Sequence, residues 1–541
     1  MSAGRDDCDA LIVGGGHNGL VCAAYLAGAG LRVRVLERRA IVGGAAVTEE
    51  FHPGFRNSLA SYTVSLLNPK VIADLRLVQH GLRVVERPYS NFLPLPDGRA
   101  FRLGGPEGMA ELARWLPRDA ARLPGYYAML DRVVAVLREL MHATPPNVSD
   151  RFVLADWLNT LTAARQLKSL DMRGRRDLLD LFSKSAGELL DDWFECAPLK
   201  AALGWDSIVG NFASPYTPGS AYVLLHHVFG EVNGKAGVWG HAIGGMGAIS
   251  DAIATECRAR GVVIDTDAEV AQVLVEDGRV VGVALGDGRE LRAGVVASNL
   301  NPKLLYTRLV APEHLDEDTA ARIRRYRCGS GTFRMNVALS QLPDFRAAPG
   351  TRLPHHQSGI LIGDSLGYFE RAYFDAKSRE HNPGWARAPV VELVVSSTLD
   401  DSLAPPGQHV ASLFCQHVNP VIDDAQGGWD AHRDTVAKLM IDTVDAHAPN
   451  FARSVLGYDA LTPLDLERRL GLVGGDIFHG ALGPDQLFSA RPLLGQGSYR
   501  GALRGLYLCG SGAHPGGGVT GLPGRNAARE ILRDLRRGPA P

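Results

Sequence analysis

The stretch LIVGGGHNGLVCAAYLAGAGLRVRVLERRAIVGG, residues 11–44, decides the fold. Leu11-Ile12-Val13 is a short apolar run that reads as a strand buried on both faces. It runs into Gly14-Gly15-Gly16-His17-Asn18-Gly19, which fits G-x-G-x-x-G. An Ala- and Leu-rich helical stretch, residues 20–29, follows, and a second strand, Val33 to Leu36, closes on Glu37. Each part has a mechanical reason. Gly14 allows the tight turn, Gly16 lets a pyrophosphate approach the backbone, and Gly19 lets helix and strand pack closely. The helix aims its unpaired N–H groups and positive dipole end at the phosphates, with His17 and Asn18 inside the phosphate loop. Glu37 stands at the strand end, where an acid can bond both ribose hydroxyls. Strand, loop, helix and acid together mark a dinucleotide site. The pattern does not separate NAD from FAD, but a carboxylate at position 37 would repel the extra phosphate of NADP.

At 541 residues the chain exceeds one ordinary core, so two or more domains are expected. A hydrophobic content of 45% with 21% charged residues describes a globular protein. The formal charge of −2 and the lack of a basic block argue against nucleic acid as a partner. Seven cysteines (Cys8, Cys22, Cys196, Cys257, Cys328, Cys415 and Cys509) are scattered and include no CxxC. That spacing suggests a reducing compartment and counts against thiol–disulfide chemistry or a zinc site. The first strand begins at Leu11, which leaves no room for a signal or transit peptide. The most apolar stretch is the 11–31 motif itself, whose His17, Asn18 and glycines speak against a transmembrane helix. The expected location is the cytoplasm.

Beyond Glu37-Arg38-Arg39, the doublet Gly43-Gly44 followed by Ala45 would let the chain run close beneath a cofactor; a plain flexible loop fits equally well. Residues 51–63, FHPGFRNSLASYT, read as a polar and aromatic loop whose Arg56 and Tyr62 are candidates for lining the substrate side. Residues 83–103 read as a β-hairpin turning at Pro96-Asp97-Gly98. From Pro106 to about Gly204 the pattern becomes amphipathic helices, with Met129, Leu130, Val133, Val134 and Leu137 at helical spacing. Such stripes are commonly core, yet a helical insert in an α/β protein suggests a cap over a cleft. Gly244-Gly245-Met246-Gly247 precedes a helix, residues 248–260, and then short β runs at 262–264, 268–275, 280–285 and 291–297. Asp277-Gly278 and Asp287-Gly288 punctuate the last three as hairpin turns. Runs at 333–339, 390–396 and 410–415 read as strands of another sheet, followed by an amphipathic helix at 434–447.

Near the end, GLVGGDIFHG (471–480) holds His479, readable as a base, an orienting donor or a histidine satisfied by local backbone. The strand Leu506–Cys509 then runs into GSGAHPGGGVTG (510–521) and a last helix, residues 522–536. A second strand–glycine loop–helix unit thus stands some five hundred residues from the first. FAD rationalises the pair: its ADP half occupies the N-terminal motif while its flavin reaches the C-terminal one. The last helix could then face the flavin N1–C2=O edge.

The chain resembles the phytoene desaturase-like FAD-dependent oxidoreductases, nearest the branch that includes pyridine nucleotide-disulfide oxidoreductase domain-containing protein 2. The resemblance covers nearly the whole length. It rests on GGGHNGL (14–20), VGGAAVTEEFHPGFRNSLASYTVSLL (42–67), SPYTPGSAYVLLHH (214–227), GGMGAISDAI (244–253), LAPPGQHVASLF (403–414), GGDIFHG (474–480) and GSGAHPGGGVTGLPG (510–524). It implies bound FAD and an α/β fold, with a Rossmann-like FAD-binding domain of the glutathione reductase and amine oxidase type. A mixed α+β substrate domain with the helical insert accompanies it. The expected division is 1–70, 240–305 and 500–541 for FAD, with 71–239 and 306–499 as substrate or cap domain. Gly14, Gly16, Gly19 and Glu37 would hold the ADP half, with Arg38, Gly43, Gly44 and Ala45 lining the cofactor. Val270 would touch the adenine side, and Gly510, Ser511, Val519 and Thr520 the ribityl chain and flavin. The activity implied is hydride transfer from a largely apolar substrate, with oxygen, a quinone or another electron acceptor. Amine oxidation, double-bond isomerisation and a non-catalytic flavin-binding role are the alternatives. The substrate is expected to enter between the insert and the second sheet.

Overall fold

The computed structural model describes residues 8–148, 154–378, 384–422 and 427–537. A parallel sheet holds β1 (Ala10–Val13), β2 (Val33–Leu36), β3 (Val263–Asp265), β4 (Val295–Ser298) and β5 (Leu506–Leu508), in spatial order β3-β2-β1-β4-β5. All four residues of β1 are buried, as a central parallel strand requires, because Val33–Leu36 flank it on one side and Val295–Ser298 on the other. Helices α1 (His17–Gly28), α2 (Gly247–Ala259) and α3 (Leu522–Arg537) pack on the sheet, and α1 touches both of the others. The α1–α3 approach is close enough that a Cβ on Gly524 would lie 2.1 Å from the carbonyl oxygen of Asn18.

Three local readings change. The stretch 51–63 is a loop only beyond Ser58: Thr48–His52 pairs antiparallel with Phe55–Ser58 about a turn at Pro53-Gly54, where Gly54 supplies φ +79°. The hairpin turning at Pro96-Asp97-Gly98 is shorter than 83–103. It comprises Asn91–Pro94 and Ala100–Leu103, while Val84–Glu86 pairs with Gly240–Ala242 instead. The run 291–297 also divides. Glu290–Arg292 completes a meander with Val270–Glu276 and Arg279–Leu285, and past Ala293-Gly294 the chain enters β4.

The second sheet has seven strands. In spatial order they are Val455–Leu461, Thr332–Leu339, His409–Val418, Trp385–Val394, Gly359–Ile362, Asn91–Pro94 and Ala100–Leu103. Only the Gly359–Ile362 and Asn91–Pro94 pair is parallel. The 48–58 hairpin is tied to this sheet by Asn57, whose Nδ2 donates to Asn336 Oδ1 at 3.0 Å.

The insert forms helices at Gly105–Trp115, Pro117–His142, Leu154–Lys168, Met172–Ser183, Ala186–Trp193 and Ala197–Gly204. Its stripe of Met129, Leu130, Val133, Val134 and Leu137 is buried in the same continuous core as the parallel sheet and α1. The end of the longest helix docks on α3, where Asn526 Nδ2 donates to Met141 O at 2.9 Å and Thr144 Oγ1 to Glu530 Oε1 at 2.6 Å. The stripe therefore packs the insert onto the rest of the molecule and does not itself line the cavity described below. Among the described residues, no helix is long and apolar enough to cross a membrane.

Candidate cofactor and substrate site

Gly14 leaves β1 with φ +93°, and its N–H donates to Leu36 O at 2.8 Å, so the glycine loop stays pinned to the end of β2. A Cβ on Gly19 would meet Gly14 O at 2.3 Å, which fixes the need for glycine where helix crosses loop. α1 has no side-chain cap and no acid in its first turn, and Gly14, Gly16 and His17 face one cavity of ≈ 270 Å³. Such a helix start offers its first-turn N–H groups to an anion in the cavity. Glu37 is buried on that same cavity wall; its Oε2 accepts from Gly15 N–H at 2.8 Å and its Oε1 from Arg39 N–H at 2.9 Å. The acid therefore also clamps the loop it serves. Arg38, Gly44, Ala45 and Val270 line the cavity too. Gly43 stands behind the lining, with its N–H donating to Gly15 O at 2.9 Å and φ +124°, and holds Gly44 against Gly16.

The C-terminal glycine loop meets the N-terminal one directly. Asn18 Nδ2 donates to Ser511 Oγ at 3.1 Å across 493 residues of sequence. Ser511 and Val519 line the cavity, and Val519 holds φ +59°, a strained conformation for a β-branched residue that marks a constrained site. Gly510 and Thr520 lie outside the lining. A Cβ on Gly510 would strike Asn299 O at 2.4 Å, and Thr520 Oγ1 accepts from Leu522 N–H at 3.1 Å at the start of α3. Arg491, fully buried, donates to Phe478 O at 2.5 Å, Ser511 O at 2.9 Å and Gln486 O at 3.1 Å. It staples the 474–480 loop to the 510–521 loop.

His479 faces the cavity from φ +58°, with its Nδ1 buried and unpartnered. Burial foremost, then Arg491 and His17, push its pKa down to about 3. His17, also on the wall, is lowered to about 4 by burial. Both imidazoles are neutral at pH 7. Asp476 holds the loop that presents His479, accepting from Phe478 N–H at 2.8 Å and Gly480 N–H at 3.0 Å.

The cavity extends to Tyr62, whose hydroxyl donates to Glu392 on the central strand of the second sheet. The Arg334 guanidinium sits over the Tyr62 ring at 4.7 Å. Trp205, Val209, Trp239 and Phe414 supply apolar wall here, Arg87 supplies charge, and Asp206 adds a carboxyl. Burial, and secondarily Glu392, raise the Asp206 carboxyl to about 8. Arg56 is not brought in: it alternates away from buried Phe55 and Asn57 and is exposed. The insert reaches the cavity only through the turn after its last helix, at Trp205, Asp206 and Val209.

Sequence reasoning missed Arg87, Asp206, Glu392, Asn299 and Arg491. Glu392 had a signal, an acid at the centre of the apolar run Val390–Val394. Asp206 had a weaker one beside Trp205.

The donor set fits FAD. Two glycine loops share one cavity, a Cβ on Gly16 would lie 2.5 Å from Asn299 Nδ2, and an uncapped helix start faces a carboxylate-lined pocket. Residues 19–333 match the family described as flavin containing amine oxidoreductase. The chain is 42% identical to pyridine nucleotide-disulfide oxidoreductase domain-containing protein 2 of Rattus norvegicus, covering 98% of this chain and 94% of that one. It is 26% identical to a limonene dehydrogenase polypeptide of Castellaniella defragrans, covering 98% and 95%. Among solved structures, an oxidoreductase from Methanosarcina mazei aligns with a TM-score of 0.59 at 17% identity, covering 97% of this chain and 100% of that chain.

Proposed function

The chain belongs to the flavin-containing amine oxidoreductase family, an FAD-dependent enzyme by that membership, and from this premise we propose that it dehydrogenates or desaturates a largely apolar organic substrate. The observation that carries the proposal is the wall of Trp205, Val209, Trp239 and Phe414 on the cavity shared by both glycine loops. The likeness to the limonene dehydrogenase polypeptide along nearly the full length supports an apolar substrate body. When bound, FAD would supply the electron sink for a hydride equivalent from a substrate C–H, with oxygen, a quinone or another compound as the final acceptor.

The chain's own residues bind, orient and exclude water. Gly14, Gly16, His17, Asn18, Gly19, Glu37, Arg38, Gly43, Gly44, Ala45 and Val270 would hold the ADP half, directly or by shaping the loops. Gly510, Ser511, Val519 and Thr520 would shape the flavin side. This division assigns 1–70, 240–305 and 500–541 to the cofactor, and 71–239 with 306–499 to the substrate. His479, held neutral with Nδ1 unpaired, suits an orienting donor better than a proton carrier, because a pKa of about 3 makes it a weak base. Tyr62, clasped by Glu392, borders the substrate space.

An amine substrate is the second reading, favoured by the acid Glu392 on the same wall. Anaerobic mixing of the holoprotein with terpenoid hydrocarbons, long-chain acids and alcohols, and alkylamines separates the two. Bleaching of the flavin by an apolar-bodied compound, reversed in air, is the expected result. Bleaching by amines alone, or by no member of the panel, would overturn the proposal.

A further inference from the structure

We infer that Arg87 anchors a carboxylate group at one end of the substrate, so that the molecule entering this cavity is an amphipathic acid with an apolar body. The inference rests on the apolar-substrate reading and adds to it a charged terminus.

Arg87 follows the strand Val84–Glu86, and its backbone N–H donates to Trp239 O at 2.9 Å, which fixes it on the cavity wall. The residue is only 7% exposed. Its Nε and Nη2 are buried and have no acceptor. Those two atoms form the side edge of the guanidinium, the edge that grips both oxygens of a carboxylate in parallel. A guanidinium stays charged inside a protein, and a buried charge without a counter-ion is strongly unfavourable. Water in the cavity could satisfy the N–H groups but leaves the positive charge uncompensated.

The neighbouring acids supply only part of that compensation. Glu392 acts on Arg87 through space, yet it accepts from Tyr62 and leaves Nε and Nη2 of Arg87 without an acceptor. Asp206 is protonated at neutral pH, with a pKa near 8. Arg334 adds a second buried cation beside Tyr62, its donors spent on Leu413 O, Ser412 Oγ and Leu59 O. Two guanidinium groups thus face a single nearby acid, Glu392, which is hydrogen-bonded by Tyr62 and by neither of them, and this leaves an unpaired positive charge at Arg87. A monoanion from outside neutralises it. A cationic amine would raise it further, and a phosphate dianion exceeds it. The apolar side chains of Trp205, Val209 and Phe414 share the same space, so the remainder of the ligand is hydrocarbon.

The test uses the full-length holoprotein with decanoate, 1-decanol and decylamine as probes at pH 7.0. Binding is read as perturbation of the flavin absorbance and by calorimetry. Decanoate is expected to bind roughly ten-fold or more tighter than 1-decanol, with decylamine weakest, as a charge-assisted bidentate contact would give. Arg87→Met should weaken decanoate roughly 10–100-fold while moving 1-decanol less than about threefold, and Arg87→Lys should fall between. If Arg87→Met loses FAD or fails to fold, the comparison of acid and alcohol on the wild-type protein decides alone. Equal affinity for decanoate and 1-decanol overturns the anchor and leaves the apolar body standing. Tightest binding of decylamine overturns the anchor in favour of an amine site. Binding of none of the three, with FAD still in place, removes the apolar-body reading and the anchor with it.

Discussion

Replacing Asp206 by Asn should change how stability depends on pH. Asp206 sits in the turn after the last insert helix, partly open to the cavity, with its carboxyl raised from 3.8 to about 8 by burial and then by Glu392. In the unfolded chain the same group ionises near 3.8. Below that pH both states are protonated and its stabilising effect relative to neutral pH is fully present. Between about pH 4 and 8 the unfolded state releases the proton while the folded state keeps it, so stability falls as pH rises, and above about 8 the loss is complete. At about 1.4 kcal/mol per pH unit the upper bound is about 6 kcal/mol. Cavity water screens part of this, so a difference of about 2–4 kcal/mol between pH 5 and pH 8 is the working expectation. An asparagine side chain matches the carboxyl in size and cannot ionise, so Asp206→Asn should gain on the wild type steadily across that range. Urea unfolding of both proteins at pH 5.0, 6.5 and 8.0, at fixed excess FAD, reads the difference directly. Parallel pH profiles would refute the buried, protonated state of Asp206 and with it the charge count around Arg87.

Gly16→Val places a Cβ within 2.5 Å of Asn299 Nδ2 and a branched side chain on the cavity wall, so the purified protein should hold little FAD. Unchanged flavin-to-protein absorbance in a folded variant would exclude the phosphate loop from cofactor binding. Arg491→Met leaves the carbonyls of Phe478, Gln486 and Ser511 without their donor. It should cost about 3–6 kcal/mol in urea unfolding and loosen FAD. A loss under about 1 kcal/mol would mean that the two glycine loops hold together without the staple.

The parallel sheet was legible because its information is local. β2 spans Val33–Leu36 as its apolar alternation and the following acid predict, and Gly14, Gly16 and Gly19 lie within six residues of one another. The substrate side was not legible, because segments distant in sequence build it, around Tyr62, Arg87, Trp205, Trp239, Glu392 and Phe414. Arg87 stands between Glu86 and Pro88 in what reads as an ordinary polar strand end, and only pairing of Val84–Glu86 with Gly240–Ala242 carries it to the cavity. Glu392 meets Tyr62 across 330 residues, through the register of a sheet whose partners no local pattern names. Arg56 lies outside the cavity lining for a local reason. Its neighbours sit in a hairpin, and period-two alternation turns Arg56 outward while burying Phe55 and Asn57.

The bond from Asn18 to Ser511 has a consequence for the newborn chain. At about 5–20 residues per second, the 493 residues between them take roughly 25–100 s to make. During that interval β1, β2 and later β4 can pair, but β4 keeps an open edge that only β5 covers, and α1 lacks the partner it finds in α3. An uncovered parallel edge is a template for unwanted pairing. The cavity shared by the two glycine loops thus cannot form while translation is under way, and a ribosome that stalls before residue 506 releases a chain that has the first loop but neither the second loop nor the strand that covers β4. Abundance in the cell then depends on how well chaperones shield that edge and on how much free FAD meets the chain in the moments after release.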